Sequence, residues 1–167
     1  MNNFIETIGF FGPFILFFTS LWILRKKYIY FFTYISGFLL SIIINYFLKI
    51  IIKQPRPSEN KDLFNILITN GKSIDFEKYG MPSGHAQSVF YSTIYIYLIT
   101  NDIKICMFYL LISLITVFQR IIAKRHTILQ VIAGSVIGVF LAYFLHHVGE
   151  NKIKGVLKFK QDDNGPI

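Results

Sequence analysis

Charge is scarce in this chain of 167 residues: Asp, Glu, Lys and Arg make up 16% of it, against roughly 25% in ordinary soluble domains. Cysteine is almost absent. The single Cys106 excludes an internal disulfide and a thiolate zinc cluster, and its apolar surroundings read as inert packing. These shortages exclude a disulfide scaffold and a soluble enzyme. What is present is 53% hydrophobic residues and 17% aromatics, which excludes intrinsic disorder and exceeds what one small soluble core could bury. Charge-free runs cover 7–24, 28–48, 79–101, 105–119 and 126–149, or 18, 21, 23, 15 and 24 residues. Several reach the roughly 20 residues that cross a hydrocarbon layer. The expected fold is all-α: a polytopic membrane bundle of about five transmembrane helices with one polar face.

The runs predict helices over about 8–24, 28–48, 83–100, 105–123 and 127–148, with Pro13 inside the first. Residues 1–150 form the membrane-embedded domain, with 49–84 as its polar loop, and 151–167 form a polar basic tail. The loop holds Pro55, Pro57, Asn60, Asn70, Gly71 and Gly80 as breakers. Gly134 and Gly138 make a small-xxx-small pair that predicts close helix packing. Trp22, Tyr28 and Tyr30 suit an interfacial belt, and His146 and His147 a helix-terminal role.

A net charge of +8 reads here as positive-inside topology and anion chemistry rather than nucleic-acid binding. The leader before the first span has no Lys or Arg and an acidic Glu6, so it predicts a retained span and not a cleaved signal. Arg25, Lys26 and Lys27 follow that span. They place the first loop in the cytoplasm and the N-terminus outside or in a lumen. With five spans, the tail lysines share the cytoplasmic side, while 49–84 and 120–126 share the other.

Three polar groups fall on that second side. Lys49, Arg56 and Pro57 lie after the second span; Pro82, Ser83, Gly84 and His85 open the third; Arg120, His126 and Gln130 join the last two. Arg120 interrupts an apolar run, and an intramembrane charge needs a partner or an aqueous cavity. Two guanidinium groups, a lysine and the free N–H groups of a helix start describe a phosphate site. Two histidines then remain for phosphoryl transfer, which needs a nucleophile and a leaving-group acid. His126 and Gln130, at i and i+4, share a helical face, so the amide oxygen can accept an imidazole N–H.

The pattern Lys49-x6-Arg56-Pro57, then PSGH at 82–85, then Arg120-x5-His126 resembles the three signatures of the type 2 phosphatidic acid phosphatase superfamily. IIKQPRP at 51–57, KYGMPSGHAQS at 78–88 and HTILQV at 126–131 are similar to its dolichyldiphosphatase branch. The resemblance covers about residues 40–145. It implies His126 as a nucleophile forming a phosphohistidine and His85 as the leaving-group acid. It implies Lys49, Arg56, Ser83, Gly84 and Arg120 as holders of the phosphoryl oxygens, with Gln130 orienting His126. It implies a lipid phosphate or diphosphate and the membrane as partners, no nucleic acid, and no metal or other cofactor. The active site would face the lumen or exterior, in the endoplasmic reticulum or plasma membrane. Gln130 stands where the superfamily usually has Asp, and Gln119 where it usually has Ser. The chain also shows five spans where many relatives carry six. The leading expectation is hydrolysis of a polyprenyl diphosphate, such as dolichyl diphosphate, to the monophosphate. The alternatives are a broader phosphatidate or undecaprenyl-diphosphate phosphatase, or a weakly catalytic lipid-binding scaffold.

Overall fold

The computed structural model describes residues 3–72, 74 and 76–162. Six α-helices follow in order: α1 (Asn3–Leu24), α2 (Tyr28–Ile52), α3 (Lys61–Thr69), α4 (Gly84–Thr100), α5 (Ile103–Ile122) and α6 (Ile128–Asp162). A single 3-10 turn, Phe76–Lys78, precedes α4. No strand occurs among the described residues beyond one isolated bridge, Pro55 with Tyr79. The all-helical expectation holds, and its physical basis is the bilayer: backbone groups there must be satisfied within the segment. α1, α2, α5 and α6 are long and apolar enough to cross a membrane. Outward-facing Phe18 (63% exposed), Phe140 (69%) and Ile132 (53%) give these helices an apolar outer surface of the kind a bilayer covers.

The third expected span, α4, is shorter and more polar than its neighbours. At 17 residues it is about 26 Å long, and it packs among α1, α2, α5 and α6. Its polar side chains are used internally. Gln87 accepts from Asn45 Nδ2 at 2.8 Å and donates to the Ser41 carbonyl and hydroxyl, both at 2.8 Å. Thr93 pairs with Ser113 at 2.8 Å, and Ser92 with the Tyr34 hydroxyl at 2.7 Å. These bonds satisfy groups that lipid would leave unpaired.

The α4–α6 crossing explains the glycine pair. A Cβ at Gly134 would collide with the Ser83 carbonyl oxygen, and one at Gly138 with the Gln87 carbonyl, 3.0 Å from the Tyr91 nitrogen. Gly138→Leu is therefore expected to force the helices apart at a cost of roughly 1–3 kcal/mol. The measurement is the unfolding midpoint in detergent, with the lipid-facing Val136→Leu as a control that leaves it unchanged.

Four boundaries differ from the sequence expectation, the first being that α1 begins at Asn3 rather than near Ile8. α2 continues through Lys49 to Ile52, because Lys49 is buried inside the bundle rather than solvated past a helix end. The 49–84 loop contains α3, capped by the Asn60 side chain, which accepts from the Asp62 and Leu63 N–H groups at 3.0 and 3.2 Å. α6 continues unbroken through the expected tail to Asp162, while 163–167 lie outside the described residues. At the end far from the polar groups, His146 stacks on Tyr30 with ring centroids 5.8 Å apart, and His147 pairs with Asn151 at 2.9 Å. Neither is helix-terminal as expected, because α6 runs on to Asp162; His146 packs within the bundle and His147 is exposed.

Candidate active site

The Arg120-x5-His126 spacing has a backbone cause. α5 ends in a Schellman turn: Arg125 N–H reaches the Arg120 carbonyl at 3.1 Å and Lys124 N–H the Ile121 carbonyl at 3.0 Å. Lys124 sits at φ 52°, the left-handed position such a turn requires. The His126 N–H also bonds the Arg120 carbonyl, at 3.2 Å. α6 then starts with a reciprocal cap: Gln130 N–H donates to Thr127 Oγ1 at 3.2 Å, and Thr127 N–H to Gln130 Oε1 at 3.1 Å. This is the T-x-x-Q form of the capping box. His126 is thus clamped between two helix ends, 4% exposed.

Two short segments pair beside it. Arg56 N–H donates to the Lys78 carbonyl at 3.1 Å, and Gly80 N–H to the Gln54 carbonyl at 2.7 Å. The pairing fixes Arg56 and turns the Gly80 carbonyl toward His126 Nδ1, 2.9 Å away. Gln130 Oε1 lies 3.3 Å from the same nitrogen. Both partners are acceptors, so Nδ1 carries the proton and Nε2 keeps its lone pair. The expected Gln130 contact is present, but the closer acceptor is a backbone carbonyl that sequence reasoning missed. Gln130 also acts as a strut, since its Nε2 donates to Gln54 Oε1 at 2.9 Å and to the Pro55 carbonyl at 3.0 Å.

α4 begins at Gly84, with Ser83 as a fully buried N-cap whose Oγ accepts from Ala86 N–H at 3.5 Å. Ser83 N–H donates to the Gln130 carbonyl at 3.0 Å, tying this helix start to α6. Gly84 lies under Asn45, whose Oδ1 would sit 3.3 Å from a Cβ there. His85 Nε2 is hydrogen-bonded to Arg120 Nη2. A guanidinium only donates, so this nitrogen accepts and the proton of the neutral ring is on Nδ1. Arg120 also lies over Phe10, 5.3 Å from its centroid.

Lys49, Arg56, Gly84, His85, Arg120 and His126 line one cavity of about 980 Å³. Ser83 and Gln130 stand behind its wall as supports. The expectation that the polar clusters share one end of the bundle is met by this cavity. Sequence reasoning missed Arg125, Phe76 and Glu77, and the contribution of α1 through Glu6, Thr7, Phe10 and Phe11. Arg125 adjoins His126 and was readable as a fourth cation; the α1 residues belong to no spaced motif. Four cations face two carboxylates, so the cavity is cationic. Burial and then the charges of Arg56 and Lys49 push the His126 pKa down to about 4, while the Gln130 and Gly80 hydrogen bonds oppose the shift. His126 is a neutral imidazole across the physiological range.

A family model described as the PAP2 superfamily matches residues 30–154. No curated protein and no solved structure matches the chain.

Proposed function

The chain belongs to the PAP2 superfamily, whose members are phosphatases, and we propose that it hydrolyses a polyprenyl diphosphate of the dolichyl type to the monophosphate and free phosphate. The observation that carries the reading is two histidines, His126 buried and His85 half-buried, in one cavity ringed by Lys49, Arg56, Arg120 and Arg125. The guanidinium groups, Lys49 and the first-turn N–H groups of α4 hold the phosphoryl oxygens. Arg120 Nε is buried with no partner among the described residues, a donor suited to such an oxygen. His126 Nε2 attacks the terminal phosphorus, a P–N bond forms and the bond to the bridging oxygen breaks. Once the bound diphosphate takes up Arg120, His85 Nε2 is free to accept a proton from solvent, and the resulting imidazolium gives that proton to the bridging oxygen. His85 then takes one from water, which attacks the phosphohistidine and releases phosphate. Likeness to KYGMPSGHAQS and HTILQV, with Gln at position 130, supports the dolichyldiphosphatase branch.

The experiment compares polyprenyl diphosphate, polyprenyl monophosphate and phosphatidate as substrates of the purified protein with EDTA present. The diphosphate is expected to release phosphate fastest, with activity surviving chelation. Equal rates on all three would replace this reading with a broad lipid phosphatase, and no turnover on any would leave a lipid-binding scaffold. The site faces the lumen or exterior in this reading, supported by Arg25, Lys26, Lys27 and the lysines of α6 at the opposite end from the cavity. Cysteine placed at the exposed Ser58 is expected to react with impermeant maleimide only from that side. Labelling from the cytoplasmic side of sealed vesicles would overturn the orientation.

A further inference from the structure

A second cavity opens beside the cationic one. It measures about 410 Å³ and shares Phe76, Gly84 and His85 with it. Half of its remaining wall is aromatic: Phe14, Phe17 and Phe18 from α1 face Phe38 and Tyr46 from α2. The gap has a packing cause, since α1 lies chiefly on α5 and α4 while α2 lies chiefly on α6. Its rim opens sideways to the membrane, where Phe14, Phe18 and Ile42 are 56%, 63% and 51% exposed. The polar side chains in its wall include Asn45 and Ser41, and both are bonded to Gln87. The slot therefore makes little polar demand on an occupant.

We propose that this α1–α2 slot binds the first isoprene units of a single-chain lipid whose diphosphate lies in the cationic cavity. The identity of the headgroup rests on the function proposed above. Three observations favour this occupant. The two cavities meet at Gly84 and His85, so a molecule filling both is anionic at one end and apolar at the other. The slot takes roughly 14 methylene-sized groups at about 30 Å³ each, near three isoprene units. One chain therefore fills it. Its walls are rings in close array: Phe17 and Phe38 have centroids 4.6 Å apart, and Tyr46 and Phe76 stack at 4.8 Å. Such surfaces pack well on the flat double bonds and methyl branches of an isoprenoid. Phe76, also 4.9 Å from Lys49 Nζ, sits where head joins tail.

The test uses a polyprenyl diphosphate with a diazirine on its third isoprene unit, photolysed on the full chain in nanodiscs and mapped by mass spectrometry. Adducts are expected within 13–18 and 38–46. Adducts confined to the outer faces of α5 or α6 would overturn the slot. In parallel, Ile42→Trp narrows the rim at a lipid-facing position. It is expected to raise KM for the long-chain diphosphate roughly tenfold, the effect of about two displaced methylene groups, with kcat unchanged. On a water-soluble one-isoprene diphosphate, kcat/KM should stay within twofold. Equal loss on both substrates, or loss on neither, would contradict the slot. Slot adducts without phosphate release from any lipid phosphate would sink the phosphatase reading and leave the slot standing. Phosphate release with adducts elsewhere would do the reverse.

Discussion

His126→Ala is expected to reduce phosphate release to background and to form no phosphoenzyme. His85→Ala is expected to lose roughly 10²–10⁴ in rate while still accumulating phosphohistidine from a diphosphate. The asymmetry follows from the partners of the two rings. His126 has Nδ1 engaged by Gly80 and Gln130 and its Nε2 lone pair unprotonated. His85 Nε2 is held by Arg120. In the proposed mechanism Arg120 passes Nη2 to a phosphoryl oxygen, which leaves His85 Nε2 open to take up the proton that it then gives the leaving group. Acid quench of each variant with labelled diphosphate, followed by mapping of the acid-labile phosphate, separates the roles. Label on His85 in place of His126 would reverse the assignment, and wild-type rates in His126→Ala would remove covalent catalysis.

The side chains that line the cavity were legible because most sit at or near helix ends in spaced motifs, and helix ends of antiparallel spans meet at one face. What supports them was less legible, for physical reasons. The Gly80 carbonyl is a backbone acceptor, and no residue type announces one. Gln130 was readable as a neighbour of His126, but its bonds to Gln54 and Pro55 cross 75 or more positions of sequence. The α1 contribution escaped because Glu6, Thr7 and Phe10 reach the cavity through packing of a span that looks like any other. α3 was a different case. Asn60 before Asp62, with Leu63, Phe64, Ile66 and Leu67 following, is a capped amphipathic turn, masked by the breakers on either side. α4 shows the limit of hydropathy in a bundle: Gln87, Ser92 and Thr93 are buried among helices, so polarity there reports internal hydrogen bonds rather than exposure.

The mount beneath His126 supplies the second large effect. Gln130→Leu would free Gln54, Pro55 and the Thr127 N–H from their shared partner and so loosen the segment that holds the Gly80 carbonyl. Gly80→Ala would press from the other side, because its Cβ would lie 2.6 Å from both Gln130 Nε2 and Oε1. Each is expected to lower kcat by roughly 1–3 kcal/mol of lost orientation, about 5- to 150-fold. The double variant should fall short of the sum, since one network carries both. Gln130→Asp separates charge from support. A carboxylate near Nδ1–H stabilises the imidazolium, so the acid limb of kcat/KM should move upward from about 4, the value at which burial and the Arg56 and Lys49 charges hold His126. Yet a carboxylate cannot donate to Gln54 Oε1 or to the Pro55 carbonyl, and the shorter side chain reaches less far, so kcat should still fall. The imidazole is thus set by a main-chain carbonyl, and an amide braces the segment that carries it. Four pH–rate profiles on one substrate check this: wild type, Gln130→Leu, Gln130→Asp and Gly80→Ala. Coincident profiles would reduce position 130 to a helix cap, and an acid limb moving downward in Gln130→Asp would reverse the electrostatic assignment.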